Sequence, residues 1–228
     1  MALFKPRFTG VSRLSVLVSS SPQGPVRSGR KPKGEGHSRR AEILAAAERI
    51  FVEHGYEGAT IRKIADEVGL SSTALYMHFA DKGEILQDIC RQAFEELLAA
   101  NRRITTDEPD PQARLRAMLQ AYVAFGFAQP NAYRLIYLTR PIEARSGAQN
   151  AAETQGPELF RSFQVVLEEI KVAGRLRGDD AAGAARLFWA GTHGIVSLII
   201  TKPYFDWGDT RVLSDGMIDA LIRGLLKA

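Results

Sequence analysis

The sequence predicts an all-α protein, and three observations carry that expectation. After residue 38, apolar residues recur at helical spacing almost to the end, most plainly as Ile218, Leu221, Ile222 and Leu225 at i, i+3, i+4 and i+7. No stretch alternates apolar and polar residues for long enough to make a convincing strand. Capping side chains, glycines and prolines interrupt the pattern about once per helix length. With 228 residues, 45% hydrophobic and 25% charged, the chain has globular proportions and room for one or two domains.

The elements follow in order. Residues 1–37 mix Ser19-Ser20-Ser21-Pro22, Gly24-Pro25 and Gly34-Glu35-Gly36, bury little, and read as a disordered tail. A first helix over 38–54 places Ile43, Leu44, Ala47, Ile50 and Phe51 on one face. It stops at His54-Gly55, where Gly fits a left-handed cap. Thr60 caps a short second helix with Ile61, Ile64, Ala65 and Val68 on one face, ending at Gly69. Ser71 or Ser72 caps a third short helix running to Phe79. Asp81 and Glu84 have capping-box spacing and open a long fourth helix that ends near Arg103. Pro111 suits the first position of the fifth helix, which reaches Ala128 and is broken by Pro130. A sixth, short helix holds Tyr133, Ile136, Tyr137 and Leu138, and 141–156 reads as a loop. Helices over 158–174, 180–201 and 210–227 complete the chain.

Charge is unevenly distributed. Residues 1–40 hold nine Lys/Arg against Glu35 alone, residues 41–103 hold seven basic and eleven acidic side chains, and the remainder balances. The basic character therefore lies in the tail, which suits a polyanionic partner or simple solvation. A transit peptide has a similar composition, whereas Leu14 to Val18 is too short for a secretory apolar region. The uncharged, strongly apolar run Leu187 to Thr201 is 15 residues, short of the roughly 17–25 that span a bilayer. The expectation is a cytoplasmic protein with no membrane partner. One cysteine, Cys90, excludes a disulfide framework and any multi-cysteine metal site, and its place between Leu86 and Phe94 suggests an inert buried thiol.

The informative stretch is Thr60 to Lys82. Two short helices joined by Gly69-Leu70-Ser71 make the helix-turn-helix pattern. Ile64, Ala65, Val68, Leu70 and Leu75 pack the pair, which keeps Ser72, Thr73, Tyr76, Met77 and His78 available. Small hydroxyls and an aromatic at a helix start suit phosphates and base edges in a major groove.

On these residues, 38–86 resembles the DNA-binding domain of TetR-type transcriptional regulators. The resemblance runs through Arg40-Ala41-Glu42-Ile43-Leu44, Ala47 to Phe51, His54-Gly55-Tyr56, Thr60 to Ala65, Val68 to Ser71, Leu75 to Phe79 and Lys82 to Leu86. It covers about a fifth of the chain, and Phe188-Trp189-Ala190-Gly191-Thr192-His193-Gly194 also resembles the Trp-His-Gly signature of one C-terminal subtype. The resemblance implies three parts: a tail over 1–37, a helix-turn-helix domain over 38–85, and a ligand-binding and dimerisation domain over 86–228. It implies a homodimer on double-stranded operator DNA, with a small-molecule effector in a cavity among helices four to eight. Arg62, Ser72, Thr73, Tyr76 and His78 then correspond to DNA contacts and Lys82 to a phosphate-binding lysine. Arg39, Arg40, Thr60 and Ser71 complete the candidate set. Ser72-Thr73 departs from the Lys or Gly that many members carry after the serine, which leaves the preferred base sequence open. The candidate cavity residues are Tyr122, Phe125, Tyr133, Tyr137, Phe163 and His193, while Trp189 reads better as core.

The competing expectation is a small-molecule-binding helical protein, or a helical enzyme, with no DNA role. Histidines 37, 54, 78 and 193 form no metal-binding pair, and no phosphate loop, nucleophile elbow or dinucleotide fingerprint is present. No cofactor or metal is expected.

Overall fold

Nine α-helices and one π-helical turn make up the described residues, 36–138 and 148–227, of this computed structural model. The tail read over residues 1–37 lies almost wholly outside them, as does the first part of the expected loop. The order is α1 (Gly36–Gly58), α2 (Ile61–Glu67), α3 (Ser72–Tyr76), α4 (Lys82–Asp107), α5 (Pro111–Ala128), α6 (Pro130–Tyr133), a π-turn (Arg134–Leu138), α7 (Ala148–Val172), α8 (Ala181–Thr201) and α9 (Thr210–Leu225). Apart from the single bridge between Leu176 and Leu226, no β-structure occurs among the described residues.

Local chemistry explains the boundaries. Thr60, Ser71, Asp81, Asp110, Asp180 and Asp209 each accept a hydrogen bond from an amide of the helix that follows. The box at α4 is shifted by one residue: Asp81 accepts from Glu84 N at 2.8 Å, but Glu84 accepts from Ala80 N at 2.6 Å. Gly55 departs from a left-handed cap. Its φ of 67° and ψ of 171° fall in a region essentially confined to glycine, so α1 kinks there and adds one short turn.

Three expectations are corrected. The third helix ends at Tyr76 rather than Phe79, and α4 runs one turn beyond Arg103. Residues 148–156, read as loop, are helical, and α7 passes through Gly156-Pro157. Proline removes one backbone hydrogen bond and so reads as a breaker. Here α7 lies along α4 and α5, and Gly156 sits against the Phe94 ring, so packing on both sides carries the helix past it.

α4 runs without a break across the boundary expected at residues 85–86. Near its start Asp88 pairs with Arg40 of α1; near its end Asn101 donates to Ser162 of α7 at 2.8 Å. One continuous buried cluster runs from Ile43, Ile64 and Leu75 through Phe94, Met118 and Phe188 to Ile222. α8 is long and apolar enough, by length and composition alone, to cross a membrane. In this fold it packs on α5, α7 and α9, burying Ala185, Phe188, Thr192 and Val196. Gly126 and Gly191 permit the close crossings, since a Cβ would clash with Val196 Cγ1 at the first and with Leu221 Cδ1 at the second.

Candidate nucleic-acid interface and aromatic cavity

α2 and α3 are set by backbone chemistry between them. Gly69, at φ +66°, lets Leu70 N donate to Ala65 O at 2.8 Å and Gly69 N to Asp66 O at 3.2 Å. That pair of bonds is a Schellman motif; it ends α2 and turns the chain sharply. Ile64, Ala65 and Leu75 are completely buried behind the turn. The opposite face of α3 is open: Thr73 is exposed, Tyr76 is 55% exposed and Met77 84%. Large side chains left this exposed beside a packed turn are available to a partner.

The structure divides the candidate DNA contacts by what they already hold. Arg62 projects freely, at 86% side-chain exposure with only a long pairing to Asp66 at 3.8 Å. Thr60 and Ser71 are exposed caps that accept from Lys63 N at 3.2 Å and Ala74 N at 3.1 Å. Ser72 and His78 are half-buried. Lys82 gives two of its three ammonium donors to Tyr56 O (2.7 Å) and Ala59 O (3.2 Å) and sits over the Tyr56 ring, leaving one for another acceptor. Arg39 donates to Glu42 at 2.7 Å.

Arg40 is engaged within the domain. Its Nε and Nη2 donate to Asp88 Oδ2 at 3.0 and 2.6 Å, and Nη1 donates to His78 O at 2.6 Å. Its guanidinium also lies 4.0 Å from the centroid of Phe79. It therefore ties α1, the segment just after α3, and α4 together. Its partner Asp88 is 48 positions away, so no local pattern announces the role.

A second feature lies among α4, α5, the π-turn, α7 and α8. A cavity of about 330 Å³ is lined by Phe94, Tyr122, Ile136, Tyr137, Gly156, Pro157, Leu159, Phe160, Phe163 and Trp189. Of the six candidates, Tyr122, Tyr137 and Phe163 reach it. Phe125 is buried but outside the lining, and Tyr133 and His193 stand behind Tyr122 and Tyr137. Trp189, read as core, lines it; so do Phe94 and Ile136, which helical spacing alone could not tell from core.

Behind the lining runs a polar chain. Trp189 Nε1 donates to Tyr122 Oη (3.4 Å), which is 3.2 Å from Tyr133 Oη, which in turn is 2.6 Å from His193 Nδ1. The direction of the short link follows the imidazole tautomer: with the His193 proton on Nε2, Tyr133 donates to Nδ1. Burial pushes the phenols of Tyr122, Tyr133 and Tyr137 up and holds the His193 imidazole below its ordinary range.

A pH dependence follows with a definite sign. The folded protein binds the His193 proton more weakly than the unfolded chain does. This contribution to stability is complete above the usual value of 6.5 and is lost as pH falls below it. Between about pH 7.5 and 5, the thermal midpoint of the wild type should fall further than that of His193→Gln. Equal losses would show that His193 carries none of it.

Elsewhere the chemistry is quiet. Cys90 is 1% exposed, and burial pushes its thiol up to about 12, so it is no ready nucleophile. Among the described residues no three His, Cys, Asp or Glu side chains converge on a point.

Comparison with known proteins agrees with this geometry. Residues 43–89 match the family described as bacterial regulatory proteins, tetR family, and residues 115–223 match the tetracyclin repressor-like C-terminal domain; together these cover well over half of the chain. The HTH-type transcriptional activator FasR of Mycolicibacterium smegmatis is 34% identical over 122 residues, which is 52% of this chain and 54% of that protein. The HTH-type transcriptional repressor KstR2 of Mycobacterium tuberculosis is 38% identical over 88 residues, 39% of this chain and 44% of that protein. The chain thus matches about half the length of these curated relatives. The solved structure of the ketosteroid transcriptional regulator KstR2 of Mycobacterium tuberculosis superposes with a TM-score of 0.71 at 24% identity, covering 83% of this chain and 96% of that one. At that identity the likeness speaks for the fold. With a matching helix-turn-helix domain at one end and a matching C-terminal domain at the other, this chain belongs to the TetR family of bacterial regulatory proteins.

Proposed function

We propose that this protein is a cytoplasmic, ligand-responsive transcriptional repressor that binds a palindromic operator as a homodimer. The observation that carries the reading is the helix-turn-helix itself: a rigid Schellman turn that leaves Thr73, Tyr76 and Arg62 outward and Leu75 inward. Thr60, Arg62, Ser71, Ser72, Thr73, Tyr76 and His78 form the DNA-facing set, with the remaining donor of Lys82 for a phosphate and Arg39 at the margin. Arg40 acts one step behind, by holding α3 in place. In this reading residues 38–85 form the head and 86–228 the sensing and dimerising body.

The outer faces of α8 and α9 support the dimer. Leu187, Gly194 and Leu198 share one face of α8, and Leu213, Ala220 and Gly224 one face of α9, so two copies could meet as a four-helix bundle. Two heads on such a dimer would read successive major grooves, with half-sites about 34–36 Å apart or a multiple of that. Cavity and head are linked through Ile136 and Tyr137, which lie on the π-turn; both that turn and α6 pack on α1. A ligand that moves the π-turn would thus bias the heads. The coupling is reciprocal, so operator DNA would weaken ligand binding by the same factor.

Tyr76→Ala is the direct test. Fluorescence anisotropy with a duplex from upstream of the protein's own gene should show roughly tenfold weaker binding, about the cost of one lost contact in a specific site. Helicity and assembly state should be unchanged. Equal affinity of variant and wild type would remove α3 from the DNA interface.

A further inference from the structure

We propose that the aromatic cavity selects an uncharged, mostly hydrocarbon ligand of about 10–15 non-hydrogen atoms and rejects the carboxylate and ammonium analogues of the same skeleton. The proposal rests on the reading of this cavity as the effector site and adds the chemical class of the effector.

Size comes first. About 330 Å³, filled at the density of a protein interior, holds a molecule of one ring with short substituents. Wall geometry favours a flat ring. Phe94 and Tyr137 meet nearly edge to face at 77° with centroids 6.2 Å apart, and Phe160 and Trp189 are tilted by 58° at 5.8 Å. The cavity thus presents ring edges as well as ring faces, between which a planar group can be sandwiched.

Charge selection follows from the polar atoms. Among the described lining residues there is no Lys, Arg, His, Asp or Glu. Side-chain heteroatoms come only from Tyr122, Tyr137 and Trp189. The Trp189 N–H is already given to Tyr122 Oη, and Tyr122 is linked onward to Tyr133. A carboxylate needs several donors to replace its water, and a primary ammonium needs three acceptors or an anion, of which attraction to the ring faces returns only part. Here the indole donor is committed, and burial keeps the phenols protonated, so neither ion finds a counter-charge. A neutral ester, ketone or alcohol has far less hydration to lose.

The test uses the full chain without DNA and three matched probes: methyl 4-isopropylbenzoate, 4-isopropylbenzoate and 4-isopropylbenzylamine. Isothermal titration calorimetry at about pH 7.5 keeps the acid and the amine ionised. The ester should bind roughly a hundredfold more tightly than either ion. Phe163→Trp and Phe160→Trp, each adding bulk to the lining, should both weaken the ester, with cooperative unfolding confirming that at least one of them is folded. The proposal is overturned if either ion binds within about threefold of the ester. It is equally overturned if the ester does not bind, or if its affinity is unchanged in a folded bulk variant. Operator binding, measured in parallel, separates the two readings. A chain that binds DNA but not the ester loses only the ligand class, whereas one that binds the ester but no DNA keeps that class and loses the regulator reading.

Discussion

Phe94→Ala should lower the unfolding free energy by about 3–5 kcal/mol, the usual cost of removing a buried phenyl ring. Phe94 is 1% exposed on α4, forms one wall of the cavity, and meets Tyr137 edge to face. Because the site already borders empty space, its neighbours have little to collapse onto, which places the cost toward the upper end of that range. Urea unfolding followed by circular dichroism measures it. The same variant enlarges the cavity, so its preference should shift to larger ligands. A loss below about 1 kcal/mol would mean that Phe94 is not packed as described.

The second large effect concerns the Arg40–Asp88 pair. Asp88→Ala should cost about 2 kcal/mol, the scale of hydrogen bonds to charged groups. A fully buried pair would cost more on losing one partner. Here the Asp88 side chain is 12% exposed and that of Arg40 34%, so solvent screens part of the loss. The consequence for function is more specific. Without its carboxylate, Arg40 is less firmly held beneath His78 O and Phe79, and the turn that follows α3 loses its brace. Operator affinity should therefore fall even though neither residue need touch DNA. A double-mutant cycle with Arg40→Ala checks the unit: the double variant should cost clearly less than the two single losses summed. Simple additivity would show that the two side chains act separately.

These residues mark where local reading stops. Thr60 and Asp81 could be placed from sequence, and the cap of α3 narrowed to Ser71 or Ser72, because a cap and the amides it serves lie within three positions of each other. The helix-turn-helix was legible for the same reason, since Gly69 and the apolar spacing around it encode a sharp turn within a dozen residues. The π-turn was not legible: Arg134 to Leu138 carry no signal separating it from an α-helical turn. α7 was shortened in the reading because Gly156-Pro157 is locally a breaker, and only the packing of α7 along α4 and α5 overrides it.

The cavity shows the division most sharply. An aromatic-rich set in the C-terminal part is plain from sequence, yet Tyr122, Tyr137 and Phe163 reach the empty space while Phe125 does not. Helical spacing tells which side chains share a face. Which face meets a neighbour and which meets a gap depends on how five separate segments cross. Sequence alone thus determined the all-α class, the caps at Thr60 and Asp81 and the helix-turn-helix, all of which arise from interactions within a few residues. Tertiary structure alone decided that Arg40 braces α3 through Asp88, that Trp189 lines the cavity, and that Tyr133 and His193 stand behind it. Those outcomes depend on contacts between residues 38 or more positions apart, whose partners no local pattern names.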